Sequence, residues 1–311
     1  MINESRADLL VEALPYIKNY QGATLVIKYG GHAMVDEALR DRFAQDVALL
    51  RFVGFNPVVV HGGGPQIDEL LKTLKIDYHF VEGQRFTDEA TMNVVEMVLC
   101  GRVGKDIVSR ITRAGGGAIG LSGKDAGLIK AVRKRLTKAP VETDLSPEII
   151  DIGLVGEPVK INVDLLRHLT SGGFIPVIAP VGVDEAGVTY NINADSVAAA
   201  VAVALSAARL ILLTDVPGVL GPDGQLIERL GESQITELKR SGGISGGMLP
   251  KLDCCLSALR GGCKSASIID GRVAHALLLE IFTDQGCGTE ISANANVPSS
   301  SEKIPGDLSV S

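Results

Sequence analysis

The chain has 311 residues, enough for two ordinary domains or one large α/β unit. AVILMFWYC residues make up 46% of it, but aromatics only 4%, with no tryptophan, a balance that suits parallel strands under Ala-rich helices and argues against a β-sandwich. Lys+Arg is 30 against Asp+Glu 37, a net charge of −7, so there is no basic excess to release counterions from a nucleic-acid backbone, and nucleic-acid binding is excluded.

The first twenty residues, MINESRADLLVEALPYIKNY, carry acids where a signal peptide needs a basic n-region before an apolar run. Leu9, Leu10, Ala13, Ile17 and Tyr20 recur near helical spacing instead. Ser5 with Asp8 reads as a capping box, and Pro15 should kink the helix by removing a backbone bond.

Six short apolar runs follow, most ending at glycine: LVIKYGG (25–31), PVVVHGGGP (57–65), AIGLSG (118–123), IPVIAPV (175–181), LILLTDV (210–216) and ASIIDG (266–271). Helices are expected between them at 36–54, 66–74, 88–114, 163–172, 194–208, 249–261 and 273–282. That alternation predicts βαβ units, and hence an α/β fold with an open, mainly parallel central sheet between helices. Residues 124–162 and 182–192 break the rhythm and read as β-hairpins decorating the sheet. The expected organisation is an N-terminal helix (1–21), one lobe over 22–182, a second over 183–293 sharing the same sheet, and a disordered tail (294–311).

The most apolar stretch, Val197 to Leu213, is interrupted by Ser206 and Arg209 and falls short of a membrane span. Five cysteines, two of them adjacent (Cys254, Cys255), match neither a disulfide framework nor a metal-ligand spacing, so a reducing cytoplasm is expected, with no metal site. Gly115-x-Gly117-x-x-Gly120 matches the dinucleotide fingerprint by letters only, because it follows a helix and precedes a strand. AIGLSGKD fails as a P-loop: Ala118 replaces the first glycine and Asp125 the Mg²⁺-holding hydroxyl.

What remains is a set of glycine turns at the carboxyl ends of strands, where open α/β sheets bind ligands. His61-Gly62-Gly63-Gly64-Pro65 ends a strand, exposes amides and opens a helix, a cradle for a phosphate or carboxylate. His61 itself reads as bonding the turn. Lys28 stands just before Gly30-Gly31, as an anion contact or else as an edge lysine reaching solvent. Lys251, after Gly246-Gly247 and Pro250, sits in the first turn of a helix, where a cation opposes the dipole unless an anion joins it. Asn193 is a natural N-cap; Asn191 and Asp195 need a further role if both lysines converge nearby, because a carboxylate would hold two ammonium groups charged and aimed. Arg85, ahead of the helix near Asp88, is placed to clamp a carboxylate.

K28-Y-G-G, V-V-V-H61-G-G-G-P, R85-F-T-D, N191-I-N-A-D195, L-L-T-D215-V-P-G-V and G-G-M-L-P-K251, in this order over about residues 22–292, resemble the amino acid kinase family and, within it, the acetylglutamate kinase branch. The resemblance implies ATP-dependent phosphorylation of the γ-carboxylate of N-acetyl-L-glutamate, a step of arginine biosynthesis, with Mg²⁺ arriving on ATP. It implies that Lys28 and Lys251 stabilise the transferring phosphoryl group and that Asp195 orients them. Gly63, Gly64, Arg85 and Asn191 would hold the acylated amino acid, and Gly30, Gly31, Thr214, Asp215, Gly246 and Gly247 the nucleotide.

The N-terminal helix resembles that of arginine-inhibited hexameric members, which implies a trimer of dimers and an effector site near Tyr20, His275, Glu280 and Gly288. Some photosynthetic members of this branch also bind a PII-type signalling protein. The competing readings are a sister kinase for another carboxylate or phosphate, and a catalytically silent arginine sensor.

Overall fold

The computed structural model describes residues 11–138, 148–244 and 246–293. Its first residues are helical at Val11–Glu12, turn at Ala13 and continue as α1 (Leu14–Tyr20). The interruption falls just before Pro15, whose ring removes an amide donor. Leu9, Leu10, the Ser5–Asp8 pair and the tail 294–311 lie outside the described residues.

From β1 (Thr24–Tyr29) the chain passes through α2 (Glu37–Phe52), β2 (Asn56–His61), α3 (Gly64–Thr73), a hairpin of β3 (Phe80–Val81) and β4 (Gln84–Arg85), α4 (Glu89–Glu96), α5 (Gly104–Arg113) and β5 (Ala118–Leu121). Then come β6 (Ile129–Lys138), β7 (Glu148–Ile161), α6 (Val163–Ser171), β8 (Ile175–Ile178), β9 (Val181–Val183), β10 (Thr189–Ile192) and α7 (Ala194–Ala204). The last part holds β11 (Arg209–Thr214), β12 (Arg229–Leu230), α8 (Glu232–Arg240), α9 (Met248–Arg260), β13 (Ser265–Asp270), α10 (Ala276–Phe282) and β14 (Gly288–Ser292).

Eight strands form one sheet in the order β12-β14-β13-β11-β1-β2-β8-β5. Only the β13–β14 pair is antiparallel. Each of the six apolar runs becomes one of these strands, so the expected mainly parallel α/β sheet is what the chain builds. Strand β1 sits near the middle and is covered on both faces. Leu25, Ile27 and Tyr29 pack with Phe43, Val47 and Leu50 of α2, where the Tyr29 and Phe43 rings stack with centroids 3.7 Å apart. Val26 joins Val197, Ala198, Val201 and Ala202 of α7 on the other side. A strand buried on both faces needs no polar alternation, so TLVIKY reads as a nearly unbroken apolar run. Lys28, two residues after Val26, shares the α7 face.

The hairpins expected between 124 and 192 do more than decorate the sheet, since β6, β7, β9 and β10 close into a small barrel. Glycine permits this closure. A Cβ on Gly182 would come within 2.6 Å of Ile192 Cδ1, and one on Gly156 within 2.6 Å of Tyr190 Cβ. The single helix expected over 88–114 is divided by a π-helical segment, Met97–Val103, between α4 and α5. Helix α8 was not anticipated because ESQITELKR buries only Ile235; the Gln234 side chain secures its start by accepting the Gly231 amide at 2.8 Å. All five cysteines are free thiols, and no described helix is long and apolar enough to cross a membrane.

Candidate active site

The carboxyl ends of β1, β2, β10 and β11 bring the glycine turns together. In the first residues of α7, the Asn193 side chain accepts the amides of Asp195 (2.8 Å) and Ser196 (3.2 Å), a cap that fixes where Asp195 projects. Lys28 Nζ, from β1, lies 3.1 Å from Asp195 Oδ1, and Lys251 Nζ, from α9, donates to Oδ2 at 2.7 Å. The carboxylate is 6% exposed. Burial alone would raise its pKa, but the two ammonium groups outweigh that and hold it below the usual carboxylate range. Removing one partner of a buried ionic cluster typically costs about 3–5 kcal/mol, so the three groups stand or fall as a unit.

The Lys28 end faces backbone that has been cleared of side chains. A Cβ on Gly30 would meet Lys28 Nζ at 2.6 Å. Gly31 adopts φ +73°, and a Cβ there would run into the Asp215 carboxylate. Strand β11 lies parallel to β1 with Leu212 level with Lys28, so Thr214 and Asp215 emerge beside that turn. Gly246 (φ +59°) and Gly247 have open space around them and lead into α9, whose fourth residue is Lys251.

On the neighbouring strand, His61 is wholly buried, with Nδ1 2.8 Å from the Gly62 carbonyl, the local turn bond expected of it. Burial lowers its pKa to about 4, against the Gly62 contact, so it is neutral at physiological pH and no proton shuttle. A Cβ on Gly63 would press to 2.6 Å of Leu99 Cδ2 in the π segment, whereas Gly64 has nothing near it. Widened turns of this kind recur at functional sites, and here one sets a leucine against the glycine cradle.

Arg85 is almost entirely buried at the end of the β3–β4 hairpin. Its Nη1 lies 2.6 Å from Asp68 Oδ1 of α3, and its guanidinium sits 5.1 Å from the Tyr78 ring centre and 4.8 Å from that of Phe80. The buried Thr87 hydroxyl donates to the Arg85 carbonyl at 2.9 Å and accepts Asn191 Nδ2 at 3.3 Å. The Thr87 backbone is itself bonded to Ile152 and Leu154 of β7, which is why Gly153 between them has no room for a Cβ. Asp68 and Thr87 were not singled out from the sequence. The available signals were a carboxylate one helical turn after Gly64 and the threonine inside R-F-T-D.

A family model described as the amino acid kinase family matches residues 23–270. The chain is 56% identical over 286 residues to the acetylglutamate kinase of Syntrophus aciditrophicus, covering 92% of this chain and 96% of that protein. The chain belongs to the amino acid kinase family, in its acetylglutamate kinase branch. A second acetylglutamate kinase, from Solidesulfovibrio magneticus, is 56% identical over 287 residues with the same shares covered. Among solved structures, N-acetylglutamate synthase from Neisseria gonorrhoeae complexed with coenzyme A and N-acetyl-glutamate superposes with TM-score 0.78 at 26% identity over 92% of this chain. The same synthase complexed with coenzyme A and L-arginine gives TM-score 0.75, again at 26% identity over 92% of this chain. This chain spans 63% and 65% of those two synthase chains.

Within this member of the amino acid kinase family a second concavity lies away from the lysines. Tyr20, Glu280 and Gly288 line one cavity of about 140 Å³ together with Tyr16, Arg209 and Asp284. Tyr20 is held there by stacking on Phe55 with centroids 5.9 Å apart, and Tyr16 by a hydroxyl bond to Asp284. His275 is not part of this cavity. It adopts left-handed backbone (φ 58°) at the start of α10, and its Nδ1 lies 2.5 Å from Asp46 of α2 in a separate small cavity.

Proposed function

We propose that the chain transfers the γ-phosphoryl group of ATP to the γ-carboxylate of N-acetyl-L-glutamate, giving N-acetyl-L-glutamyl 5-phosphate for arginine biosynthesis. The observation that carries this reading is the pair of ammonium groups, from β1 and α9, meeting on Asp195 between two glycine turns. The 56% identity to acetylglutamate kinases over almost the whole chain supports the choice of substrate.

A carboxylate oxygen attacks the γ-phosphorus, the bond to the β,γ-bridging oxygen breaks, and its electron pair leaves on ADP. No proton moves in this step, so no general base is required, and catalysis rests on alignment and charge. Lys28 and Lys251 neutralise charge on the equatorial and leaving oxygens, with Asp195 keeping both aimed. Gly30, Gly31, Gly246 and Gly247 offer amides to the phosphates, and Thr214 and Asp215 border the nucleotide. Gly63 and Gly64 cradle the acylated amino acid, while Arg85 and Asn191 grip its α-carboxylate end. Mg²⁺ arriving with ATP would supply further positive charge at the phosphates, while Asp195, paired with a lysine at each oxygen, keeps its role as the anchor of Lys28 and Lys251.

Arginine inhibits from the cavity beside α1. Its walls carry four carboxylates (Glu228, Glu280, Asp284, Glu290) against two guanidinium groups (Arg209, Arg229), a surplus that favours a cation. Arg209 is spoken for by Glu290 at 2.7 Å and Glu280 at 3.5 Å, which leaves for a ligand Glu228 and the charge of Asp284, the latter already accepting the Tyr16 hydroxyl. Val11 and Leu14 of the N-terminal segment are 66% and 60% exposed, and we assign this apolar edge to contact between dimers in a larger homo-oligomer.

Trapping the product with hydroxylamine in the presence of ATP tests the assignment across N-acetyl-L-glutamate, glutamate, aspartate, carbamate and uridylate, with ADP release followed in parallel. Hydroxamate from acetylglutamate alone is expected. Preferential ADP release with one of the others would replace this reading by a sister kinase, and no turnover with any would favour a silent arginine sensor.

A further inference from the structure

We infer that Asp68 is the positioning residue that presents Arg85 to the substrate carboxylate. The inference rests on the role proposed for Arg85 and assigns a function to a residue outside that set.

A guanidinium has five N–H donors in a rigid fork, and it grips a carboxylate well only if the fork is held in one orientation before the ligand arrives. Arg85 is held on three sides. Asp68 Oδ1 forms an ion pair with Nη1 at 2.6 Å, and the rings of Tyr78 and Phe80 lie against the guanidinium 5.1 and 4.8 Å from their centres. The two rings, 76° apart in plane, attract the cation but offer its N–H groups no carboxylate-like acceptor. The Asp68 carboxylate supplies the charge that draws one end of the fork toward α3, leaving the remaining donors for the substrate.

Asp68 is also placed to relate the two halves of the substrate cradle. It lies in α3, the helix whose N-terminus is the Gly63-Gly64 turn, with Pro65 setting its first turn. The Asp68–Arg85 bridge therefore ties the cradle helix to the β3–β4 hairpin, while Thr87 ties the same segment to Asn191. Charge opposes this arrangement: a carboxylate beside a carboxylate-binding group repels the ligand. Retaining Asp68 there makes sense if orientation of the fork outweighs that repulsion.

Steady-state kinetics on the full-length chain separate these effects, using Asp68→Ala, Asp68→Asn, Arg85→Ala and the Asp68→Ala/Arg85→Ala double variant. Asp68→Ala should raise the acetylglutamate KM about tenfold, with kcat and the ATP KM changed little, the pattern of lost ground-state and transition-state binding together. Asp68→Asn keeps the shape and one acceptor and should recover part of the loss. Arg85→Ala should raise the same KM by more, and adding Asp68→Ala to it should raise it no further, since a positioning residue has nothing left to position. If Arg85→Ala leaves the acetylglutamate KM unchanged, the role of Arg85 fails. If Arg85→Ala raises that KM while Asp68→Ala and Asp68→Asn leave it unchanged or lower it, only the assignment of Asp68 is overturned. Equal loss of kcat and of both KM values in Asp68→Ala and Asp68→Asn, with a lowered melting temperature, would show a purely structural role and likewise overturn it.

Discussion

Lys28 and Lys251 come from opposite parts of the chain and end on the two oxygens of one carboxylate, Asp195, at 3.1 and 2.7 Å. Neither lysine has to be recruited when substrate arrives; both are already aimed, and their separation is set by the width of a carboxylate. Preorganised charge of this kind stabilises a transition state without reorganising at the moment of reaction. Asp195→Asn should therefore lower turnover and also lower stability at neutral pH, because two buried ammonium groups lose their counter-charge. Asp195 has a folded-state pKa below its ordinary value, so its contribution is present above about pH 4 and lost as pH falls through the depressed value. Thermal denaturation at decreasing pH should show the gap between variant and wild type constant above about pH 4 and narrowing only below it; a gap that closes already between about pH 7 and 5 would mean that the ion cluster is not the source of the difference.

The backbone at the Gly30-Gly31 turn, proposed to meet the nucleotide, has no room for a side chain. Gly31→Ala places a Cβ on a residue at φ +73°, which alone costs about 1–2 kcal/mol, and drives it into the Asp215 carboxylate. The expected result is a large loss of ATP affinity with a modest fall in melting temperature. Gly64→Ala makes a useful control, because nothing lies within 4 Å of its Cβ position and the fold should tolerate it.

Much of this geometry was legible before the structure. The six apolar runs gave their strands because a parallel sheet buried on both faces leaves a continuous aliphatic signature, and Asn193 read as a cap because its neighbours open a helix. Lys28, Asp195 and Lys251 stood out as polar residues at the ends of strands or starts of helices beside glycine. What escaped were features with no periodicity of their own. The β3 and β4 strands have two residues each, the π segment Met97–Val103 looks like any helix, and α8 buries a single isoleucine. Closure of the barrel depends on contacts such as Gly156 against Tyr190, which pair residues far apart in sequence. The resemblance names His275 with Glu280, whereas the structure sets His275 against Asp46 and Glu280 in the cavity beside Tyr20.

That Asp46–His275 contact has its own pH signature. Burial raises the Asp46 carboxyl from 3.8 to about 6, against the opposing influence of His275. A carboxyl with a raised folded-state pKa favours the folded chain at low pH and withdraws that support as pH rises through about 6, where the buried group must ionise. Asp46→Asn should then be more stable than wild type at pH 8, by about 1–3 kcal/mol, and should show no advantage at pH 4. Chemical denaturation at the two pH values checks this; a variant destabilised at pH 8 would mean that the hydrogen bond between Asp46 and His275 outweighs the burial penalty.

The proposed arginine response would depend on α1. Tyr16 and Tyr20 supply one wall of the acidic cavity, and neither touches Lys28, Asp195 or Lys251. Deleting residues 1–20 should leave an active dimer whose inhibition by arginine is abolished or much weakened, since an effector acts only through a difference in affinity between states. Light-scattering mass and an arginine titration on both forms decide it. Unchanged inhibition after the deletion would remove the effector from this cavity.

Held by Asp195, the Lys251 ammonium should stabilise charge in the transition state rather than bind substrate in the ground state. The direct measurement is kcat for Lys251→Ala alongside acetylglutamate affinity by calorimetry. Turnover should fall on the order of 10²–10³-fold, the scale seen when one preorganised charge-stabilising group is removed, with acetylglutamate binding retained. Near-normal turnover, or a loss of affinity that accounts for the whole effect, would contradict the account.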